Sequence, residues 1–102
     1  FISGPYTMGD VAVNVKTSMD VADNLIELGF APFCPHLTHF LHMNHSRPYK
    51  KWLEIDIAFL KVCDAVLRIP GESKGADAEV ELAKKLKIPV FTSINELKRK
   101  IK

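Results

Sequence analysis

Two carboxylates and a serine ahead of a glycine are the groups in this sequence best placed to do chemistry. Glu79 lies near the start of a segment, Ala76 to Leu86, whose spacing predicts a helix. A carboxylate near a helix N-terminus is favoured in its ionised form by the helix dipole. Facing a crevice, such a group can act as a nucleophile. The other reading of Glu79 is a solvated glutamate paired with lysine, as Glu81 would be with Lys84 or Lys85. Asp56 falls in a second predicted helix, Tyr49 to Val62, and its neighbours one turn away are Trp52, Leu53, Phe59 and Leu60. That pattern places its carboxyl on a buried face, where it needs a partner or keeps its proton. A carboxyl that keeps its proton beside a cleft is a candidate general acid. The alternative is a structural aspartate bonded to loop backbone. Ser73 and Gly75 bracket Lys74 just ahead of the helix that carries Glu79. A hydroxyl and free backbone N–H groups there form an anion seat, although helix capping accounts for Ser73 equally well. The loop has no Walker A pattern, so a phosphate seated there would not imply ATP chemistry.

His36, His39, His42 and His45 recur every third residue. Zinc sites use histidine pairs, but no cysteine or carboxylate at the usual spacing accompanies these. The sequence therefore carries no expectation of a metal or other cofactor. His36 directly follows a strand-like run and is within reach of a ligand crevice. The other three histidines are expected in a lid or a subunit contact.

These groups are spread over a chain of 102 residues, 47% hydrophobic and 25% charged, which fits a single domain spanning residues 1–102. The net charge of +2 does not suggest a binder of nucleic-acid polymers. The basic cluster of Lys98, Arg99, Lys100 and Lys102 reads as the solvated end of a helix. Cys34 and Cys63 sit in apolar runs, as buried free thiols in a reducing, cytoplasmic setting would. No apolar run approaches the length of a membrane span, so no membrane association is expected.

Strand-like and helix-like segments alternate. Phe1–Ser3, Phe30–Cys34, Ala65–Ile69 and Ile88–Phe91 read as strands. Between and after them, helical patterns run from Val11 to Leu28, Tyr49 to Val62 and Ala76 to Leu86, and a capping box at Ser93–Glu96 opens a last helix. Leu37–Ser46 fits either a loop or a loose helix. Strict alternation with short connections predicts an α/β domain, a flavodoxin/Rossmann-like parallel sheet of four or five strands with helices on both faces. In such sheets a ligand binds outside the carboxyl ends of the strands, where the strand order reverses. The loops expected there are Gly4-Pro5-Tyr6 and Pro70 to Gly75, the two richest in glycine and proline.

Three stretches together resemble the nucleoside 2-deoxyribosyltransferase-like superfamily, in particular its small bacterial and phage members. They are Phe1-Ile2-Ser3-Gly4-Pro5-Tyr6, Trp52 to Asp56 running on through Leu60 to Cys63-Asp64-Ala65-Val66, and Ser73 to Glu79 followed by Ala83 and Ile88-Pro89-Val90. The resemblance implies that Glu79 attacks the anomeric carbon of a sugar and forms a glycosyl ester. It implies that Asp56 helps the base leave, and that water or a second base completes hydrolysis or transfer. Gly4, Tyr6, His36, Ser73 and Gly75 would line the substrate site. Many relatives carry a tyrosine where this chain has Phe1, which removes an orienting hydroxyl from the nucleophile. Where Ser73 stands, transferases tend to carry an acidic residue, and relatives that hydrolyse 5′-monophosphates tend to carry serine. The expected activity is thus cleavage or transfer of the N-glycosidic bond of a nucleoside or nucleoside 5′-monophosphate. The alternative is a nucleotide-sensing module without turnover. Small size, and relatives that complete their sites across a dimer, point to a homodimer or higher homo-oligomer.

Overall fold

Alternation along the short strands divides the apolar residues between two faces, and each face recruits its own pair of helices. The computed structural model describes residues 1–100. Strand β1 (Ile2–Ser3) pairs in parallel with β2 (Val66–Arg68), which pairs in parallel with β3 (Val90–Phe91). Ile2, Leu67 and Phe91 are successive neighbours across the sheet and point to one face, where Leu25 of helix α1 (Val11–Glu27) and Leu97 of helix α5 (Ile94–Lys100) close over them. Phe1 and Val66 point to the other face, against Leu60 of helix α3 (Tyr49–Leu60) and Ala83 of helix α4 (Lys74–Lys85).

The sheet has three strands in the order β1-β2-β3, so the expected flavodoxin/Rossmann-like sheet of four or five strands is not formed. The missing strand is Phe30–Cys34. It runs beside β1, but a single bond, from the Ile2 N–H to the Phe33 carbonyl (2.9 Å), joins them. Phe33 faces β1, and the next residue to do so, Pro35, has no N–H to return to the Ile2 carbonyl, so no ladder develops. Its side chains still alternate, with Phe30 and Cys34 in the first core and Phe33 in the second. Helices account for most of the chain. A turn of 3-10 helix at Pro35–Leu37 leads into helix α2 (Thr38–Asn44), which settles the segment that fitted either loop or helix.

Two glycines let the loops at the carboxyl ends of β1 and β2 meet. A Cβ on Gly4 would lie 2.9 Å from the Ile69 Cβ, and one on Gly71, at φ 128°, would lie 2.7 Å from the Pro5 ring. Helix α1 fixes the first of these loops from its own start. Asp10 caps the helix by accepting from the Ala12 and Val13 N–H groups, and the Asn14 amide donates to the Tyr6 and Met8 carbonyls. No helix among the described residues is long and apolar enough to cross a membrane. Lys102 of the basic cluster lies outside the described residues.

Candidate active site

A cleft of about 710 Å³ opens at the carboxyl ends of β1 and β2. The loop after β1 supplies Gly4 and Tyr6, the loop after β2 supplies Ser73, and α4 supplies Gly75 and Glu79. The 3-10 turn contributes His36 and α3 contributes Asp56. All seven residues singled out in the sequence therefore border one space.

Glu79 is the sixth residue of α4, in its second turn, so the helix dipole acts on it less than expected; the acidic residue of the first turn is Asp77. Its surroundings come from the sheet instead. The Ser3 hydroxyl donates to Glu79 Oε1 at 2.7 Å. Arg68 on β2 is held nearby through bonds to the Gly71 carbonyl and Asp77 Oδ1 (2.9 and 3.0 Å). Burial pushes the Glu79 carboxyl above its ordinary range, while the Ser3 bond and the Arg68 charge pull it down.

Asp56 is pushed in the same direction, with nothing to offset it. Its Oδ1 is buried without a hydrogen-bond partner. Burial, then repulsion from Glu79, push its carboxyl from 3.8 up to about 7. Trp52 and Leu53 border the cleft beside it and Leu60 is fully buried, but Phe59 is half exposed and stacks on Phe33 with ring centroids 4.2 Å apart. The apolar surround read from the sequence is thus incomplete on one side.

Ser73 caps α4, its Oγ accepting from the Ala76 N–H at 3.0 Å. The hydroxyl proton stays free for another acceptor. A Cβ on Gly75 would come within 3.2 Å of the Tyr49 hydroxyl, so the first turns of α3 and α4 approach closely at the cleft. His36 is buried and its Nε2–H donates to the Pro5 carbonyl at 2.8 Å. Burial pushes its ring below the ordinary histidine range, against the pull of the nearby Pro5 and Gly4 carbonyls, and Nδ1 has no partner.

The rest of the histidine run divides differently from the sequence expectation. His39 and His42 border the cleft, whereas His45 does not. Tyr6 and His39 share a hydrogen bond of 2.6 Å between Oη and Nδ1. Trp52 Nε1–H donates to His42 Nδ1 at 2.8 Å, and the Arg47 backbone N–H donates to the same atom. An indole N–H can only donate, so His42 Nδ1 is the unprotonated nitrogen. Among the described residues no three His, Cys, Asp or Glu side chains are grouped to hold a metal ion.

Sequence reasoning passed over Ser3, Arg47, Tyr49, Trp52 and Lys74 as site residues. Ser3 was within reach of it, being two residues from Phe1 on one short strand and so on the same face. Arg47 and Lys74 place two cations at the cleft, and neither is among the ion pairs formed by the described residues. Arg47 lies over the Trp52 ring, 6.0 Å from its centroid.

No curated protein and no solved structure matches the chain. Residues 1–93, which include every residue of the cleft, match the model of a family described as a domain of unknown function (DUF7768), and the chain belongs to that family.

Proposed function

We propose that the protein cleaves, or transfers, the N-glycosidic bond of a nucleoside or nucleoside 5′-monophosphate. The observation that carries this reading is a pair of carboxyl groups of unequal environment on one cleft. Burial raises both carboxyls, but at Glu79 the Ser3 bond and the Arg68 charge work against it, whereas nothing does at Asp56, which is pushed up to about 7. Retaining glycosidases divide their work between two carboxyl groups in this way.

In the first step a Glu79 oxygen attacks the anomeric carbon. The carbon–nitrogen bond breaks, its electron pair leaves with the base, and Asp56 gives the base its proton. In the second step water attacks the same carbon, Asp56 takes up a proton from it, and the Glu79 carboxylate is released. A second base in place of water gives transfer. For a 5′-monophosphate, the free Ser73 hydroxyl, Lys74, Arg47 and the start of α4 offer an anion seat.

The test is to incubate the protein with ribo- and deoxyribonucleosides and their 5′-monophosphates and to follow free base by chromatography. Release by the wild type should fall by more than about 1,000-fold in Glu79→Gln, which keeps size but loses the nucleophile. Attachment of a second added base would identify transfer. Absence of release across the panel, or equal release by the variant, overturns the reading. Thermal stabilisation by one nucleotide without turnover would leave a binding module in its place.

A further inference from the structure

Alternation puts Ser3 of β1, like Phe1 just before the strand, on the face that packs against α3 and α4, with Ile2 on the other. Phe1 lies in an apolar core there, stacked on Phe33 with centroids 5.7 Å apart. Ser3 is a hydroxyl at a fully buried position. Such a group is costly to bury unless its proton finds an acceptor. Ser3 has two, Glu79 Oε1 at 2.7 Å and the Ala76 carbonyl at 3.3 Å. One proton cannot serve both at full strength, and the shorter bond runs to the carboxylate.

We propose that Ser3 is a positioning residue that holds Oε1 of Glu79 as a spectator and leaves Oε2 as the oxygen that attacks the sugar. This rests on the reading of Glu79 as the nucleophile. A carboxylate has two chemically equal oxygens, and a bond to one of them makes them unequal. Attack through Oε2 then turns Oε1 into the ester carbonyl, a weaker acceptor than a carboxylate oxygen. The Ser3 proton can turn to the Ala76 carbonyl while the ester stands, so the buried hydroxyl stays paired. When water opens the ester the carboxylate is restored and the bond to Oε1 re-forms. The charged or titratable side chains acting on Glu79 from the surrounding elements are Arg68 of β2 and Asp56 of α3. Ser3 is distinct among its neighbours in donating directly to a known oxygen.

The experiment uses protein labelled with ¹³C in its glutamate carboxyl groups, and follows the Glu79 signal against pH in wild type, Ser3→Ala and Ser3→Cys. Loss of the donor should move the Glu79 midpoint upward in Ser3→Ala, with Ser3→Cys, nearly isosteric and a weaker donor, in between. Circular dichroism checks folding, and Ser3→Cys carries the test if Ser3→Ala does not fold. Base release is measured alongside. The expected result is a fall in kcat of roughly 10- to 100-fold in Ser3→Ala, with KM changed by less than about 3-fold. An unmoved midpoint overturns the proposal whatever the rates do. Equal losses in kcat for Ser3→Ala and Ser3→Cys with no midpoint difference between them also overturn it. A wild type that releases no base, with the midpoint still moving, overturns the glycosidase reading and retains the Ser3 hold on Oε1.

Discussion

Replacing Asp56 by asparagine removes an ionisable group that the fold holds in its neutral form, and the effect on stability can be worked out from its surroundings. The carboxyl ordinarily titrates at 3.8 and is pushed up to about 7 in the folded protein, first by burial and then by Glu79. Each tenfold change in proton affinity is worth about 1.4 kcal/mol, so the full gap corresponds to about 4 kcal/mol. Asp56 is only partly buried, and screening by water on its open side reduces this to about 2 kcal/mol. The sign follows from proton binding. Below about pH 4 both folded and unfolded wild type keep the proton, and between about pH 4 and 7 only the folded state does. The wild type therefore loses stability relative to Asp56→Asn across that window and no further above it. Thermal or urea unfolding of both proteins from about pH 4 to about pH 9 should show the gap opening in favour of Asp56→Asn. At the upper end it should reach roughly 10 °C in Tm for a domain of this size. Any fixed cost of the asparagine amide cancels, because only the change with pH is read. A gap that stays flat would mean that Asp56 ionises as readily in the fold as out of it. A gap opening the other way would mean that the folded state prefers the charged form. Either result removes Asp56 as the acid.

The same carboxyl sets one limb of the activity profile: base release should fall as pH rises through about 7, because Asp56 then has no proton to give. Asp56→Asn should retain little release and lack that limb, as steady-state rates across pH would show. At the floor of the cleft, Gly4→Ala should cost about 1–3 kcal/mol in urea unfolding, since its Cβ would sit 2.9 Å from the Ile69 Cβ. An unchanged midpoint would mean that the β1 and β2 loops part easily.

How far the sequence reaches can be judged element by element. Helix ends were legible where a side chain meets its own backbone. Ser93 accepts from the Glu96 N–H at 3.1 Å and Glu96 accepts from the Thr92 N–H at 2.9 Å, close to the expected capping box. Gly29 ends α1 at φ 92°, as its position after Leu28 suggested. Phe30–Cys34 misled because an apolar run signals burial, whereas a strand also needs N–H donors facing its neighbour, and Pro35, where the next one would come, has none. The seven site residues border one cleft because alternating elements gather their loops at one end. The environment of Glu79 was not legible. Its hydrogen bond comes from Ser3 and its offsetting charge from Arg68, both distant in sequence, while the local rule invoked a helix dipole that reaches it weakly. Nor can a three-residue spacing separate His39 and His42 from His45. That depends on where Tyr6 and Trp52 arrive.

Helix α2 has seven residues and none of them is buried; Leu41 and Met43 are more than half exposed. What fastens this wall of the cleft is a pair of side-chain hydrogen bonds, Tyr6 to His39 and Trp52 to His42. Two such bonds resist opening far less than a packed core does, so α2 belongs to the low-stability end of the molecule. The wall can loosen and re-form while the sheet and α4 keep their shape. Entry to the cleft is then governed by how often a few polar ties let go, on a timescale set by local opening and separate from that of unfolding. Part of any ligand's binding energy goes into stilling that wall, so affinity is set by the order the wall must acquire as well as by the contacts it makes.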